Sequence, residues 1–308
     1  MMRGALLAIA SALAFGATTP LIGTFGAHLG PWTVAALLYL GAAVVTLPTV
    51  RPARPIAGRE FRRIMLTGVL GAMLAPAALT WGIAHTGALG ASLVLALEAI
   101  FTVAIAALVF HEHVGPRVVA AALLIAAGAM VLVAAGGNSA VGALGVAAVA
   151  LATLLWAIDN AITGTIAGAD PSAVVVLKST TGIAGSFAFA LLARETLPSA
   201  LAAVALVAIG AIGFGASLRW YLLAQRTFGV ARTASLFSIA PFAGSAIAYA
   251  LGERATAGPL FAFATILIAA GVVLHLSERH EHPHRHGALV HSHPHAPDAE
   301  HRHAHDPP

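Results

Sequence analysis

The chain has 308 residues, of which 59% are hydrophobic and only 9% charged, and its mean hydropathy of +0.90 is too high for a soluble domain of this length. Lys and Arg outnumber Asp and Glu by 16 to 12, but the arginines lie in short loops and in the tail, so no basic soluble surface suits a nucleic acid. The absence of cysteine excludes disulfides, thiolate metal sites and cysteine nucleophiles. Composition therefore predicts a polytopic membrane protein whose surface contacts a lipid bilayer.

Ten apolar runs follow one another along the chain, each of about 18 to 24 residues and so long enough to cross roughly 30 Å of hydrocarbon. A signal peptide is an alternative for the first run, but its removal would leave an odd set of nine. The predicted fold is therefore an all-α membrane protein with transmembrane helices near 4–26, 32–50, 64–84, 87–110, 117–136, 141–165, 171–193, 200–224, 230–251 and 257–277.

Residues 87–137 and 230–278 repeat one pattern of two apolar helices joined by a short charged turn. The copies align without a gap at one constant difference in residue number, here called the repeat offset, as in Ala91–Leu93 against Ala234–Leu236, Gly115–Pro116 against Gly258–Pro259 and Ile125–Gly128 against Ile268–Gly271. The chain is thus predicted to be a tandem duplication, with a first repeat at 4–136 and a second at 141–277, and duplicated bundles are a common way to build a transporter.

Arginine placement predicts the orientation of the bundle. With both termini in the cytoplasm, only Arg194 and Arg254 fall outside, whereas twelve arginines fall inside. Because each repeat has five helices, an odd number, the second must enter the membrane upside down, which is the inverted-topology repeat of alternating-access carriers. The arginines on the predicted inner side are Arg3, Arg51, Arg54, Arg59, Arg62, Arg63, Arg117, Arg226, Arg232, Arg279, Arg285 and Arg302.

The paired segments also suggest a family. Leu97–Phe101 running to His111–Glu112, and Ala231–Leu236 running through Ile239–Phe242 to Gly252–Arg254, resemble the EamA repeats of the drug/metabolite transporter superfamily. The resemblance covers residues 4–277 and implies a secondary transporter that exports or exchanges a small organic metabolite or drug from a central cavity. It further implies a multi-pass protein of a bacterial inner membrane. The sequence leaves the oligomeric state undetermined, with a homodimer as one alternative.

Two features qualify the resemblance. Copy one has Glu98 where copy two has Pro241, and many relatives have proline at that position. The stretches Trp156–Asn160, Ala169–Pro171 and Leu177–Lys178 are similar to those of an uncharacterised bacterial subgroup, so the family supplies no substrate.

Four charged residues lie inside the predicted hydrocarbon slab, namely Glu98, Asp159, Lys178 and Arg219, and each costs about 2.5 to 3.5 kcal/mol at a helix centre. Glu98 is roughly 16 Å below the outer end of its helix, close to the midplane. A desolvated carboxyl there favours its neutral, protonated form, which suits a proton-coupled carrier or a substrate contact. The alternative is a neutral or paired carboxyl that fixes helix packing.

Asp159 and Lys178 are predicted at a similar depth of roughly 10 Å on antiparallel neighbours, so they can pair, either as a structural ion pair or as part of a gate or substrate site. Asn160 can join that network, and Trp156 is a candidate to stack on a substrate ring or to pack in the core. Arg219 either snorkels to lipid headgroups or points inward to attract an anion.

Pro20, Pro76 and Pro241 interrupt three predicted helices. Each removes a backbone hydrogen bond, and a membrane protein tolerates this where the freed carbonyl faces protein or a wet cavity. The three kinked helices are therefore expected to line the site, with a plain packing kink as the alternative.

Residues 278–308 form a tail that is predicted to be disordered and holds ten of the fifteen histidines. Alternating imidazoles can close on Zn²⁺ or Ni²⁺, so the tail is a candidate metal buffer or sensor, and metal transport is the alternative function. Alternatively, it is a solvating tail or a pH-dependent charge switch. The tail histidines are His280, His282, His284, His286, His291, His293, His295, His301, His303 and His305.

Metal transport would need ligands within the helices, whereas the remaining histidines lie at helix ends or in turns. Enzymatic activity is not expected either. His111-Glu112-His113 is not a zinc-protease motif, because the second required histidine position holds Gly115. Transport as predicted requires no cofactor.

Overall fold

A computed structural model of the chain describes residues 2–51, 56, 58–109, 115–135, 140–166, 169–228, 233, 236–254, 258–276, 280–286 and 289–295. Helices dominate these residues, as the alanine- and leucine-rich runs predict. The helices are α1 Met2–Gly16, α2 Thr18–Phe25, α3 Pro31–Thr46, α4 Gly58–Thr67, α5 Ala75–Val94, α6 Leu97–Val109, α7 Pro116–Ala135, α8 Ala140–Gly164, α9 Pro171–Leu192, α10 Ala200–Gly210, α11 Ser217–Phe228, α12 Ala240–Ala250 and α13 Gly258–Leu276.

Local sequence signals explain several helix starts. Proline is the first residue of α3, α7 and α9, a position where its missing N–H is not needed. The Asp170 side chain accepts a hydrogen bond from the Ala173 backbone N–H (2.9 Å) at the start of α9. Ser199 does the same for Ala202 (3.2 Å) at the start of α10.

Six segments in the described part of the chain are long and apolar enough to cross a membrane: Gly4–Phe25, Pro31–Thr49, Gly58–Val94, Gly142–Gly164, Pro171–Leu192 and Ala200–Thr227. Shorter apolar helices cover Leu97–Val109, Pro116–Leu132 and Gly258–Leu274. The protein is therefore a multi-pass helical membrane protein. Leu108, Leu123, Leu197 and other large apolar side chains are exposed on its surface, as expected for contact with lipid.

The break predicted between the helices at 64–84 and 87–110 is present at Gly87, which divides α5 into two helical stretches. Only Gly87 leaves the helical conformation there, with a φ of 75° that favours glycine. The Glu253 carboxylate accepts hydrogen bonds from the backbone N–H groups of Ala88 (3.2 Å) and Leu89 (3.1 Å). Gly87 thus forms the predicted break, and the Glu253 carboxylate caps the helical stretch that begins after it.

Two kinds of helix interruption recur at the repeat offset. A π-helical segment covers Gly68–Leu74 between α4 and α5, and another covers Ala211–Ala216 between α10 and α11. A short turn precedes Leu97 at the start of α6, and a second precedes Ala240 at the start of α12. The predicted interruptions at Pro76 and Pro241 fit this pattern, because each proline stands in the first turn of the helix that follows a break.

Helices from the two predicted repeats pack on one another with exchanged partners. Helix α3 packs on the π segment Ala211–Ala216, and α9 packs on the π segment Gly68–Leu74. Helices α7 and α13 cross at Gly128 and Gly271. A Cβ on Gly128 would meet Ile268 and Ala264, and a Cβ on Gly271 would meet Ile125 and Ala121. The contacts of Gly128 with α13 therefore recur as the contacts of Gly271 with α7, with the two helices exchanging roles.

The tail differs from its predicted disorder over two stretches. His280–His286 and Leu289–His295 form antiparallel strands β1 and β2, with His280 opposite His295. An isolated two-stranded hairpin is only marginally stable in water, so paired and disordered forms of such a segment are close in free energy. The alternating pattern that brings histidines to one side of an extended chain also suits a strand.

Candidate functional site

A cavity of about 50 Å³ lies among α1, α3, α6, α8, α9 and α11. The lining combines apolar and aromatic side chains with a few charged and polar groups: Ser11, Phe15, Tyr39, Glu98, Trp156, Asp159, Asn160, Lys178, Gly213, Phe214, Ser217, Leu218, Tyr221 and Phe237.

An ion pair occupies one wall of this cavity. Asp159 of α8 and Lys178 of α9 are 1% and 3% exposed, and the Lys178 Nζ donates a hydrogen bond to the Asp159 Oδ2. Thr163 Oγ1 donates to the other carboxylate oxygen at 3.3 Å. The structure thus brings together the two residues whose depths predicted a pair, and their opposite charges cancel within the wall.

Glu98 enters the cavity from the second position of α6, directly after the helix break. Backbone hydrogen bonds from Ala96 to Leu93 and from Glu98 to Leu95, both 3.0 Å, form the tight turn that ends α5. Asn160 Nδ2 of α8 donates to Glu98 Oε1 at 2.9 Å. Glu98 lies in the first turn of α6, so its carboxyl is at the positive end of that helix dipole.

A single backbone carbonyl anchors two of the cavity's aromatic side chains. In the register of the π segment, Ala75 N–H bonds to Leu70 O, so the carbonyl oxygen of Gly71 would next be paired with residue 76. Residue 76 is proline and has no N–H to donate. Tyr39 Oη (2.7 Å) and Trp156 Nε1 (2.9 Å) donate to the Gly71 oxygen instead.

Glycine at position 71 also makes room for the ion pair. A Cβ there would overlap with Asp159 Oδ2. The π segment, the proline and the glycine together hold Tyr39, Trp156 and Asp159 around one turn of backbone.

Aromatic rings form a connected cluster around the cavity. Phe15 lies at its centre, with ring centroids 5.3 Å from Trp156, 5.6 Å from Phe214 and 5.3 Å from Phe237. Edge-to-face and tilted pairs at these distances are favourable. Tyr39 and Tyr221 extend the cluster through Phe214 and Phe237.

The remaining predicted residues lie elsewhere. Arg219 neither lines the cavity nor faces only lipid, since its Nε donates to Ser172 Oγ (2.9 Å) near the start of α9. Pro20, Pro76 and Pro241 stand in helix first turns behind the cavity's described lining. The side chains of the ten tail histidines lie outside the described part of the chain.

Sequence reasoning missed most of the aromatic lining, namely Phe15, Tyr39, Phe214, Tyr221 and Phe237. Part of this signal was available, because Phe15, Tyr39 and Phe214 stand at mid-helix depth in runs otherwise rich in alanine, glycine and leucine. Aromatic residues in membrane helices are expected near the interfaces, so rings grouped at the midplane indicate a buried site.

This fold and cavity define a helical membrane protein with a polar and aromatic site among its described helices. The model of the EamA-like transporter family, which is part of the drug/metabolite transporter superfamily, matches residues 2–134 and confirms the resemblance seen in the sequence over that part of the chain. No curated protein matches the chain. The chain is similar to several solved structures, among them a crystal structure of a protein with a TM-score of 0.63 and 20% identity over 88% of this chain and 94% of that one, which shows the fold alone.

Proposed function

We propose that the protein is a secondary transporter that moves a small organic metabolite or drug by alternating access, with Glu98 coupling transport to a proton. The proposal rests on the cavity at mid-helix depth, which is lined by Glu98 and by the Asp159–Lys178 ion pair, whose two charges cancel. Intramembrane ionisable groups are costly, and they mark substrate and proton pathways.

The proposed architecture is ten transmembrane helices in two inverted five-helix repeats, 4–136 and 141–277. Its support is the set of features that recur at the repeat offset: the π segments, the breaks before Leu97 and Ala240, and the exchanged contacts of Gly128 and Gly271. Exchanged contacts are the signature of a two-fold axis between the halves. The cavity lies between these halves, where such carriers bind substrate.

The proposed state is closed toward the outside. On the predicted topology Glu195 and Glu253 both lie at the outer end, and both belong to the second repeat. Glu195 accepts hydrogen bonds from the backbone N–H groups of Trp32 (3.2 Å) and Thr33 (2.7 Å). Glu253 likewise accepts hydrogen bonds from the backbone N–H groups of Ala88 and Leu89, directly after Gly87 in the first repeat. Two carboxylates thus hold helix starts of the other repeat, and an outward-open state must release them.

The remaining roles follow from position. Asn160 holds Glu98, and Asp159 with Lys178 forms a fixed wall. Arg219 joins α11 to the start of α9 through Ser172, which bonds in turn to Thr49 of the first repeat at 2.8 Å. We place this contact at the cytoplasmic end, with both termini in the cytoplasm and the protein in a bacterial inner membrane.

Metal transport is not proposed. Across the described residues, no group of three or more His, Asp or Glu side chains is arranged to hold a metal ion. Metal binding by the histidine-rich tail stays a prediction for residues 278–308. On this prediction the tail buffers or senses Zn²⁺ or Ni²⁺ on the cytoplasmic side of the membrane and is not part of the translocation path.

Alternating access can be tested before any substrate is known, because the chain has no cysteine and a single introduced thiol is labelled uniquely. Ser11→Cys puts a thiol in the cavity, and Leu123→Cys, whose parent side chain is 66% exposed on the apolar surface, is the matched control. We expect a membrane-impermeant maleimide to label Ser11→Cys from the cytoplasmic side, and to label Leu123→Cys from neither side.

A topology control uses His295→Cys, which should be labelled only from the cytoplasm. Labelling of Ser11→Cys from neither side, or labelling of His295→Cys from outside, in protein that is folded and inserted would contradict the proposed transporter.

A further inference from the structure

The pairing of β1 with β2 sets histidines of the tail directly opposite one another. Residues that face each other across two antiparallel strands lie on the same face of the sheet, and every second residue of a strand returns to that face. One face of the hairpin therefore carries a row of opposed histidines. The opposed pairs are His280 with His295, His282 with His293, and His284 with His291.

The two prolines of the hairpin fit this register. Pro283 is opposite Ser292, and Pro294 is opposite Glu281, so both prolines stand in the pairs that alternate with the histidine pairs. Antiparallel pairs alternate between those that exchange backbone hydrogen bonds and those that do not, and proline has no N–H to donate. The prolines therefore suit the pairs without backbone hydrogen bonds. In the sequence Gly287–Ala288 separates the strands, and a two-residue loop with glycine first is typical of a hairpin turn.

Opposed histidines on one face have the spacing that a metal site needs. The Cβ atoms of directly opposite residues are about 4.5 to 5.5 Å apart, and neighbouring pairs on one face follow at about 7 Å along the strands. Two adjacent pairs supply four imidazoles, the number of ligands that tetrahedral Zn²⁺ takes, and Ni²⁺ also accepts imidazole nitrogen. The middle pair, His282 and His293, belongs to either choice of two adjacent pairs.

We propose that β1 and β2 form a site for one Zn²⁺ or Ni²⁺ ion, held by His282 and His293 together with one neighbouring pair. An isolated hairpin is only marginally stable, so the metal bonds also stabilise the pairing of the strands, and binding is coupled to folding. His286 is opposite Leu289 and stays outside the site, as do the histidines beyond β2. The site goes beyond the transport function and does not depend on it.

This site differs from a tail that binds metal by composition alone, because it depends on which face of the strand the histidines occupy. Exchanging the two neighbours within Val290–His291, Ser292–His293 and Pro294–His295 moves the histidines of β2 to the other face. Composition and the spacing of these histidines stay the same. Exchanging Val290 with Ser292, which share the other face, is the matched control.

The affinities for Zn²⁺ and for Ni²⁺ are measured on the full chain in lipid nanodiscs, by competition with a chelator of known affinity. We expect the tightest step to bind one ion per chain with at least one of the two metals. The exchange of neighbours should weaken that step at least about tenfold, and the control exchange should leave it within about twofold.

A pair of double substitutions locates the ligands. His282→Asn with His293→Asn removes the middle pair, and we expect it to weaken the tightest step at least about tenfold. His301→Asn with His303→Asn removes as many histidines beyond β2 and should leave that step unchanged. Equal effects of the two double variants would mean that any histidines of the tail serve, and would overturn the site.

Amide hydrogen exchange tests the coupling to folding. The bound metal should slow exchange in peptides that cover residues 280–295 of the parent and of the control exchange, but not in the variant with exchanged neighbours. The proposal is wrong if that variant binds as tightly as the parent, if bound metal leaves this exchange unchanged, or if the parent binds neither metal. Thermal unfolding of the membrane helices confirms that each variant is folded, since all the changes lie in the tail.

Discussion

The breaks before α6 and α12 have the same backbone and different chemistry. Each is a short turn followed by a new helix start, at Leu97 and at Ala240, which correspond at the repeat offset. The second residue after the break is Glu98 in one copy and Pro241 in the other. Proline suits a first turn because no N–H is needed there. The duplicated framework is thus preserved where it shapes the backbone, and at this position only the first copy places a carboxyl in the cavity.

The two π segments differ in the same way. Gly71 in the first exposes a bare carbonyl oxygen that holds Tyr39 and Trp156, whereas the corresponding position in the second, Phe214, contributes a ring to the cavity. The first π segment therefore holds two side chains through its backbone, and the second contributes a side chain to the cavity lining. Comparison of the copies therefore separates residues that keep the fold from residues that make the site.

The largest expected effect comes from breaking the ion pair, which only the second repeat contains within the cavity. Asp159→Ala leaves Lys178 buried without its partner, and we expect a loss of about 3 to 5 kcal/mol in the free energy of unfolding. Denaturant unfolding of the purified protein measures it. The double variant Asp159→Ala with Lys178→Met should recover most of the loss, whereas equal instability of both variants would mean that the pair's charge balance is not what matters.

A smaller effect is expected at the glycine of the first π segment. Gly71→Ala forces a Cβ against Asp159 Oδ2, and overpacking of this kind costs about 1 to 3 kcal/mol. Gly90→Ala is the matched control, since a Cβ there meets no atom within 4 Å. Thermal unfolding should separate the two variants, and equal melting temperatures would contradict the close fit at Gly71.

The smallest expected effect is a difference near zero between two symmetry-related substitutions. Gly128→Ala and Gly271→Ala press on isoleucine and a backbone carbonyl in the same arrangement. Each should lower the free energy of unfolding by about 1 to 3 kcal/mol, and the two losses should agree to within about 0.5 kcal/mol. A large inequality would show that the two-fold arrangement does not extend to these helices.

Much of the fold could be predicted from the sequence because hydrocarbon constrains it strongly. Apolar runs marked the spans, and the repeat offset marked the features that recur. The break at Gly87 could be predicted because one apolar run ends and the next begins there, but its cap could not, because Glu253 lies in the other repeat, far along the chain. No local pattern predicts a cap supplied from that distance.

The site could be predicted only where charge made it visible. Glu98, Asp159, Asn160 and Lys178 stood out because polar groups are costly in a membrane. The role of Gly71 was hidden, since it depends on a π turn placing a carbonyl opposite Pro76, and its donors come from two other helices. Arg219 was ambiguous for a similar reason, because its partner Ser172 lies on a neighbouring helix.

The central claim is that Glu98 is the proton-sensitive group that controls access to the cavity. Its most direct test is the rate at which an impermeant maleimide labels Ser11→Cys from the cytoplasmic side, measured from about pH 5.5 to about pH 9 with and without Glu98→Gln. We predict a labelling rate that changes with pH beyond the maleimide's own reactivity when Glu98 is present, and no such change with Glu98→Gln. The same pH dependence in both proteins would contradict the claim and make Glu98 a packing residue.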